Sequence, residues 1–578
     1  MSIYSETLVP GDSAGFEVLP LTAAQRSMWF AEQLSADYSV NIAQYLDMRH
    51  EPGGLDIELL GECMKAAGRA TEAPYLRLVE VDGEPRQVVD FTRPYEAEII
   101  DFRGAEDPVD SAVAWMREEY QRPLDLHTDD LVVSMLLQVA DDRTFWYMRA
   151  HHIAVDGYAA LTTLRMTVER YNAARRGAPL EEKPFATLAE VVADDEKYQA
   201  STRRATDAAH WASRVADMPE RSTLSRRGAI APPNPVNLVA SATLPPVSQA
   251  RLDEVCATMG ASAAAVLTAA FSAFVSRMTG NDDVVLTLPV TGRATARIRN
   301  AGGMLANTLP VRASGIPDST VAELISKVQI ELVGALRHQR YRSDDIVRDA
   351  GLQGLAPASF GPVVNMMFFD KPIEIDGATS EYQILSSGML EDTLLNLYQA
   401  QPGAPLVIDL HGHPDLFTID EIEDLHAQFL VFLDRFLDLA TSDALAVGGI
   451  AVDDEATAAL EGSGLRGGVV APVGSATLVE LLAQRAIDPG RPAVVFDDEV
   501  LEYGEFEAAT NRTARGLIAR GVGAGDIVAV AIERSVESVV AVWGVVKSGA
   551  AFLPIDPDLP PDRIAFMLAD SGVTLGIT

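Results

Sequence analysis

His151-His152-Ile153-Ala154-Val155-Asp156-Gly157 is the stretch on which the reading of this chain turns. Before it, Thr144-Phe145-Trp146-Tyr147-Met148-Arg149 is rich in aromatic residues and reads as a strand. After it, Tyr158 to Arg175 carries Leu161, Leu164, Val168 and Tyr171 at helical spacing. The seven residues therefore form a loop that joins a strand to a helix. Successive side chains of an extended chain alternate in direction, so only one of the two histidines can face a given cleft. Asp156 closes the loop, and Gly157 permits close backbone approach where the helix and its amide groups begin. An imidazole titrates near neutrality and can accept a proton from an attacking amine or alcohol. A bare His-x-x-x-Asp pattern equally suits a polar turn with satisfied hydrogen bonds, so the neighbouring sequence has to decide.

Outward from the loop, the chain reads as mixed α and β. Thr22 and Gln25 make a capping box for a helix from Ala23 to Leu34. Tyr75 to Glu80 reads as a strand and Asp82-Gly83 as a hairpin turn. Polar, proline-bearing sequence from Arg176 to Pro184 and the charged segment Asp194 to Pro235 suggest a crossover between two lobes. Ser262 caps a helix to Met278, and Gly280-Asn281-Asp282 turns into a strand from Val284 to Val290. Strands are expected at Val363 to Phe369 and Leu406 to Leu410, and a helix at Ile419 to Leu439. Asp453 to Ser475, rich in Gly, Ala and acids, reads as a linker. Beyond it, Ala493 to Phe496 and Val500 to Tyr503 read as strands and Phe506 to Arg520 as a helix. A strand-helix-strand unit follows: Ile527 to Ile532, Val536 to Lys547 and Ala551 to Ile555. The fold class is α/β, with lobes at 1–180 and 181–452, a linker at 453–475 and a further α/β part at 476–578. The last residue, Thr578, falls within what reads as the next strand, so that part is expected to be truncated.

A chain of 578 residues is long enough for several hydrophobic cores. Its formal charge of -37 argues against binding nucleic acid or an anionic membrane surface. Two cysteines, Cys63 and Cys256, are too few for a disulfide framework or a thiolate metal site. Met1 to Pro10 lacks a basic stretch followed by an apolar run, and no apolar stretch approaches the ~18 residues of a membrane span. A soluble, cytoplasmic protein is expected.

The loop sequence resembles the HHxxxDG signature of nonribosomal peptide synthetase condensation domains. Further segments share the resemblance. Leu21-Thr22-Ala23-Ala24-Gln25-Arg26-Ser27-Met28-Trp29 resembles the family's first motif. Gly302-Gly303-Met304-Leu305-Ala306-Asn307-Thr308-Leu309-Pro310 resembles GxFVNTxP, with Leu and Ala where Phe and Val are commoner. His338-Gln339-Arg340-Tyr341 resembles HQDYPFE, with Arg342-Ser343-Asp344 in place of Pro-Phe-Glu. Phe360-Gly361-Pro362-Val363-Val364-Asn365 stands where the downstream strand is expected. The departure at Arg69 to Leu78, where the family usually shows RHExLRTxF, is similar to siderophore synthetases whose donor is an aryl acid on a separate carrier protein. Leu501 to Phe506 and Val546 to Asp556 resemble the first two adenylation motifs.

The resemblance implies two chloramphenicol-acetyltransferase-like lobes in a V-shaped condensation domain, followed by a partial adenylation subdomain. It implies that His152 is the catalytic histidine, as general base or as a positioner of the amine, and that His151 is structural. Asp156 would pair with an arginine to hold the loop; Arg293 is the candidate, with Arg297 and Arg299 as competitors. The Gly157 amide would stabilise the oxyanion, and Asn365 is a further polar candidate in the substrate tunnel. No cofactor is expected on the chain itself. Both substrates would arrive as 4'-phosphopantetheine thioesters, the donor on an acyl or aryl carrier protein in trans, the acceptor on the peptidyl carrier domain of the same module. The product would be an amide, with ester formation, an acyl-CoA-dependent transferase and a non-catalytic carrier-docking platform as alternatives. No aminoacyl adenylate is expected, because the Gly, Ser and Thr-rich phosphate loop does not appear.

Three features invite plainer readings. His411-Gly412-His413 reads as a solvated loop rather than a metal site. Arg203, Arg204, Arg214, Arg221, Arg226 and Arg227 read as a solvated face, with docking of an acidic carrier as the alternative. Cys63 reads as packed within a helix.

Overall fold

A computed structural model describes residues 16–34, 40–180, 184–227, 234, 236–351, 359–369, 371–388, 390–440, 446–452, 477–479, 489–496 and 499–578. The chain divides into two compact units, Met1–Thr457 and Ala458–Thr578. The expected linker at 453–475 lies outside the described residues.

The first unit is built on two large sheets. His151 ends the central strand of a five-stranded sheet ordered Ala378–Ser387, Asn41–His50, Arg143–His151, Val132–Ala140 and Glu98–Asp101, and His152 follows in the turn. The central strand, Arg143–His151, is buried along nearly its whole length, which suits its Phe145-Trp146-Tyr147 run. One face packs on the helix Gly157–Arg176 through Leu164, Val168 and Tyr171. The other packs on the helix Pro108–Gln121 through Ala112, Met116 and Tyr120. The edge strand Ala378–Ser387 comes from more than two hundred residues downstream and pairs antiparallel with Asn41–His50. A smaller sheet joins Leu19–Pro20, Glu84–Val89 and Leu76–Val81, the last two forming the hairpin that turns at Asp82-Gly83.

The six-stranded sheet runs Asn307–Ala313, Val284–Val290, Val363–Phe368, Thr393–Gln399, Val407–Gly412 and Leu238–Thr243. Helices Ala263–Thr279, Val321–Arg337 and Ile419–Leu439 cover it with Phe271, Phe274, Leu324, Val328, Phe429 and Phe432. The helix Ala263–Thr279 is apolar around its circumference because it is enclosed in this core. Among the described residues no single helix is long and apolar enough to cross a membrane.

The charged segment that suggested a crossover is partly helical. Leu188–Gln199 and Thr202–Val215 are amphipathic helices whose buried sides carry Val191, Val192 and Tyr198, and Trp211 and Val215. Their surface charge masks this period in the sequence.

The second unit holds a two-stranded ribbon, Pro492–Phe496 with Glu499–Glu502, and a parallel sheet ordered Ala551–Pro554, Ile527–Val530 and Leu575–Ile577. The helix Val536–Lys547 packs Ala541 and Val545 onto it. Lys547 is nearly enclosed, with Nζ 2.6 Å from Glu507 and 2.8 Å from Thr510.

Candidate active site

The two histidines diverge as an extended strand end requires. His151 is fully buried. Its Nδ1 accepts the Ile153 N–H at 3.2 Å, so the ring proton sits on Nε2, which donates to Glu32 at 3.2 Å. This ring is committed to holding the loop. His152 is half-buried, and its backbone N–H donates to Val40 O at 2.8 Å. Its ring lies against Gly388, where an added Cβ would stand 3.3 Å from both Cδ2 and Nε2. Gly388 has φ +98, a conformation that favours glycine.

Asp156 is the structural centre of the loop. One carboxylate oxygen caps the helix Gly157–Arg176 by accepting the Ala159 N–H at 2.8 Å. The other accepts from Arg293 Nη1 at 2.7 Å and from the Leu305 and Ala306 N–H groups at 2.9 and 3.0 Å. Both side chains of this ion pair are 1% exposed. Arg293 also donates to the carbonyls of Thr291, Ala301 and Gly303 and lies over the Tyr158 ring at 4.8 Å. Every charge is thus satisfied on several sides, the condition for burying an ion pair. Arg297 pairs instead with Glu190 at 2.6 Å.

Gly157 is exposed at the first position of its helix, and a Cβ built there meets nothing within 4 Å. The missing side chain leaves open space beside amides that have no intrahelical acceptor. Asn365 lies on the six-stranded sheet, its Nδ2 donating to Asn396 Oδ1 at 3.0 Å.

The other sequence motifs converge on the same loop. Gln25 completes its capping box with Thr22 and donates to Ile153 O at 3.3 Å. Asn307 donates to Gln339 O and Tyr341 O at 3.0 and 2.7 Å, and Gln339 accepts the Gly292 N–H at 3.1 Å. Gly292 has φ +67, and a Cβ there would meet Leu305 O at 2.1 Å. Glu32 and Gly388 carried no signal in the sequence, since each acts through a fold contact with a residue far away in the chain.

One plainer reading needs correction. His411 and His413 are buried, not solvated. His411 sits in a strand flanked on both sides, in register with Leu394 and Val239. Burial pushes its ring pKa down. Among the described residues no cluster of His, Cys, Asp or Glu could hold a metal. The arginine run is largely a solvated face, as read, with Arg203, Arg214, Arg226 and Arg227 exposed, and several of its members pair locally: Arg203 with Asp207, Arg204 with Asp345, Arg214 with Glu331 and Arg227 with Glu421. Arg221 is enclosed with Glu391. Cys63 is packed in the helix Ile57–Thr71, and burial raises its thiol pKa.

A two-sheet α/β unit with a half-buried histidine on a loop clamped by a buried ion pair has the parts of an acyltransferase-type catalytic domain. The family model for the condensation domain matches residues 16–442, and the chain belongs to that family. The model for AMP-binding enzymes matches residues 482–578. The dimodular nonribosomal peptide synthase of Bacillus subtilis (strain 168) is 31% identical over 96% of this chain and 23% of its own length. The isonitrile lipopeptide synthase of Streptomyces coeruleorubidus is 32% identical over 97% and 37%. Enterobactin synthase component F of Escherichia coli (strain K12) is 31% identical over 97% and 43%. The chain therefore spans less than half the length of these relatives. Among solved structures, the first condensation domain of the calcium-dependent antibiotic synthetase in complex with a substrate analogue is 29% identical, with TM-score 0.67 over 75% of this chain and 99% of that one. The starter condensation domain of rhizomide synthetase in complex with C8-CoA is 30% identical, with TM-score 0.68 over 75% and 97%.

Proposed function

We propose that this chain forms an amide bond at His152. The donor is an acyl or aryl thioester on the phosphopantetheine arm of a carrier protein in trans. The acceptor is an aminoacyl thioester on the downstream carrier domain of the same module. The amine nitrogen attacks the thioester carbonyl, the C–N bond forms, and the C–S bond breaks. The imidazole takes the proton from nitrogen and returns it to the departing thiolate, so no covalent intermediate with the protein is needed. The Gly157 N–H, at the first position of a helix and so without an intrahelical acceptor, is the donor assigned to a carbonyl oxygen carrying developing charge. The single observation that carries this reading is the division of labour between the histidines: His151 is sealed into the fold by Glu32 and Ile153, while the His152 ring rests against the bare backbone of Gly388. A siderophore context is supported by enterobactin synthase component F among the relatives.

A second reading, in which the donor is an acyl-CoA, is favoured by the similarity to a starter condensation domain solved with C8-CoA. The deciding experiment is a mass-spectrometric condensation assay with aryl-, acyl- and aminoacyl-loaded donor carriers, and acyl-CoA, against loaded acceptor carriers. His152→Ala is expected to lower product formation roughly 10²- to 10⁴-fold while the protein stays folded. Undiminished product would remove His152 from the chemistry.

A further inference from the structure

Since the His152 ring rests on Gly388, whatever fixes Gly388 also fixes the ring. Residues before and after the glycine are anchored. Upstream, the Ser386 hydroxyl donates to Asn41 O and accepts the Gly388 N–H, each at 3.2 Å. Downstream, Leu390 and Asn234 exchange two backbone hydrogen bonds at 3.2 and 3.3 Å. Glu391 follows, 3.2 Å from Arg221 Nη1, with both side chains 7% exposed. Asp392 is 2% exposed, accepts from the Thr223 hydroxyl at 3.1 Å, and receives the His413 N–H on its backbone oxygen at 2.9 Å.

Two adjacent buried carboxylates with one arginine make a poor source of stability, because desolvation offsets much of the attraction. What such a pair does supply is direction: a charge-assisted hydrogen bond from Arg221 Nη1 fixes the place of the Glu391 carboxylate more tightly than an apolar contact would. The same Nη1 also donates to Ser359 O, at 3.4 Å, in the segment that leads into the strand Val363–Phe368.

Resting on the reading that His152 is the catalytic imidazole, we propose that Arg221 is a positioning residue: through Glu391 it holds the segment that makes Gly388 the wall against which the His152 ring is oriented. The groups facing this cluster are Arg221, Glu391, Asp392 and His413.

The test is a double-mutant cycle in the condensation assay, using this chain with loaded carriers and scoring folding by circular dichroism and thermal unfolding. Arg221→Met is expected to fold and to lower kcat roughly 10- to 100-fold with KM for the carriers unchanged, since small misplacements of a reacting group cost that much. Arg221→Lys, which keeps the charge and a donor on a shorter, more strongly hydrated head, is expected to recover part of the loss. In a His152→Ala background, Arg221→Met should cause no further loss, because its effect passes through that ring. A folded Arg221→Met protein with wild-type kcat, or losses that multiply in the double variant, would overturn the proposal while leaving His152 in place. Should Arg221→Met fail to fold, Glu391→Gln reads the same cycle with nearly unchanged volume. Wild-type kcat there would be equally fatal.

Discussion

Asp156 shows how one side chain can decide the fate of a whole loop. Its four hydrogen bonds cap a helix, anchor two amides and neutralise a fully buried guanidinium. Asp156→Ala strands Arg293 without a counter-charge, and removing one partner of a buried pair typically costs about 3 to 5 kcal/mol. Urea unfolding of that variant should show a loss of this size, whereas Arg297→Ala, which breaks a half-exposed pair with Glu190, should change stability by about 1 kcal/mol or less. Equal effects of the two substitutions would contradict the structural account. At this scale the sequence was partly legible. The loop could be read from its residue types, because a histidine pair, an acid and a glycine carry their chemistry locally. The choice among Arg293, Arg297 and Arg299 could not, because it depends on which guanidinium the turn at Gly292 brings to the carboxylate.

Elements were legible wherever their ends are marked. The helix Ile419–Leu439 is bounded in the structure as the sequence suggested, because Thr418 and Glu421 form a capping box ahead of a strong apolar period. The helix Val536–Lys547 likewise starts from Ser535. The strand Ala378–Ser387 was invisible: its sequence, Ala-Thr-Ser-Glu-Tyr-Gln-Ile-Leu-Ser-Ser, is half polar, and its pairing partner lies near the chain's start. Yet this strand delivers Gly388 to His152. Gly388→Ala adds a methyl group 3.3 Å from the imidazole and forces a non-glycine residue to φ +98. The strain alone is of order 1 to 3 kcal/mol. We expect the variant to lose condensation activity by more than its modest change in unfolding midpoint explains, while Gly157→Ala, which meets open space, keeps its stability and reports only on substrate. Wild-type turnover in Gly388→Ala would separate that strand from the site.

Across the whole first unit, the buried carboxylates leave a signature in the pH dependence of stability. Burial pushes Asp392 up to about 7, against the pull of Arg221 and the bond from Thr223, and it raises Glu391 as well. An unfolded aspartate titrates near 4. Between about pH 4 and 7 the folded state therefore binds more protons at Asp392 than the unfolded state, so this group's contribution is fully present below about 4 and is lost as pH rises through about 7. Other groups oppose it: His210, pushed down to about 4 by burial and by His338 stacked 3.8 Å away, loses its contribution as pH falls. The total curve mixes the two, but a difference isolates one. Asp392→Asn removes the titration at the cost of little volume, so its urea midpoint relative to the parent protein should rise between pH 4 and 8, by of order 2 to 4 kcal/mol in stability. Fluorescence of the buried Trp146 and Trp211 reports the first unit, with Trp543→Phe silencing the second. A flat difference across that range would mean that Asp392 stays ionised within the fold. Asp392 would then lose its proton over the same range folded and unfolded, and Asp392→Asn would change stability by the same amount at every pH.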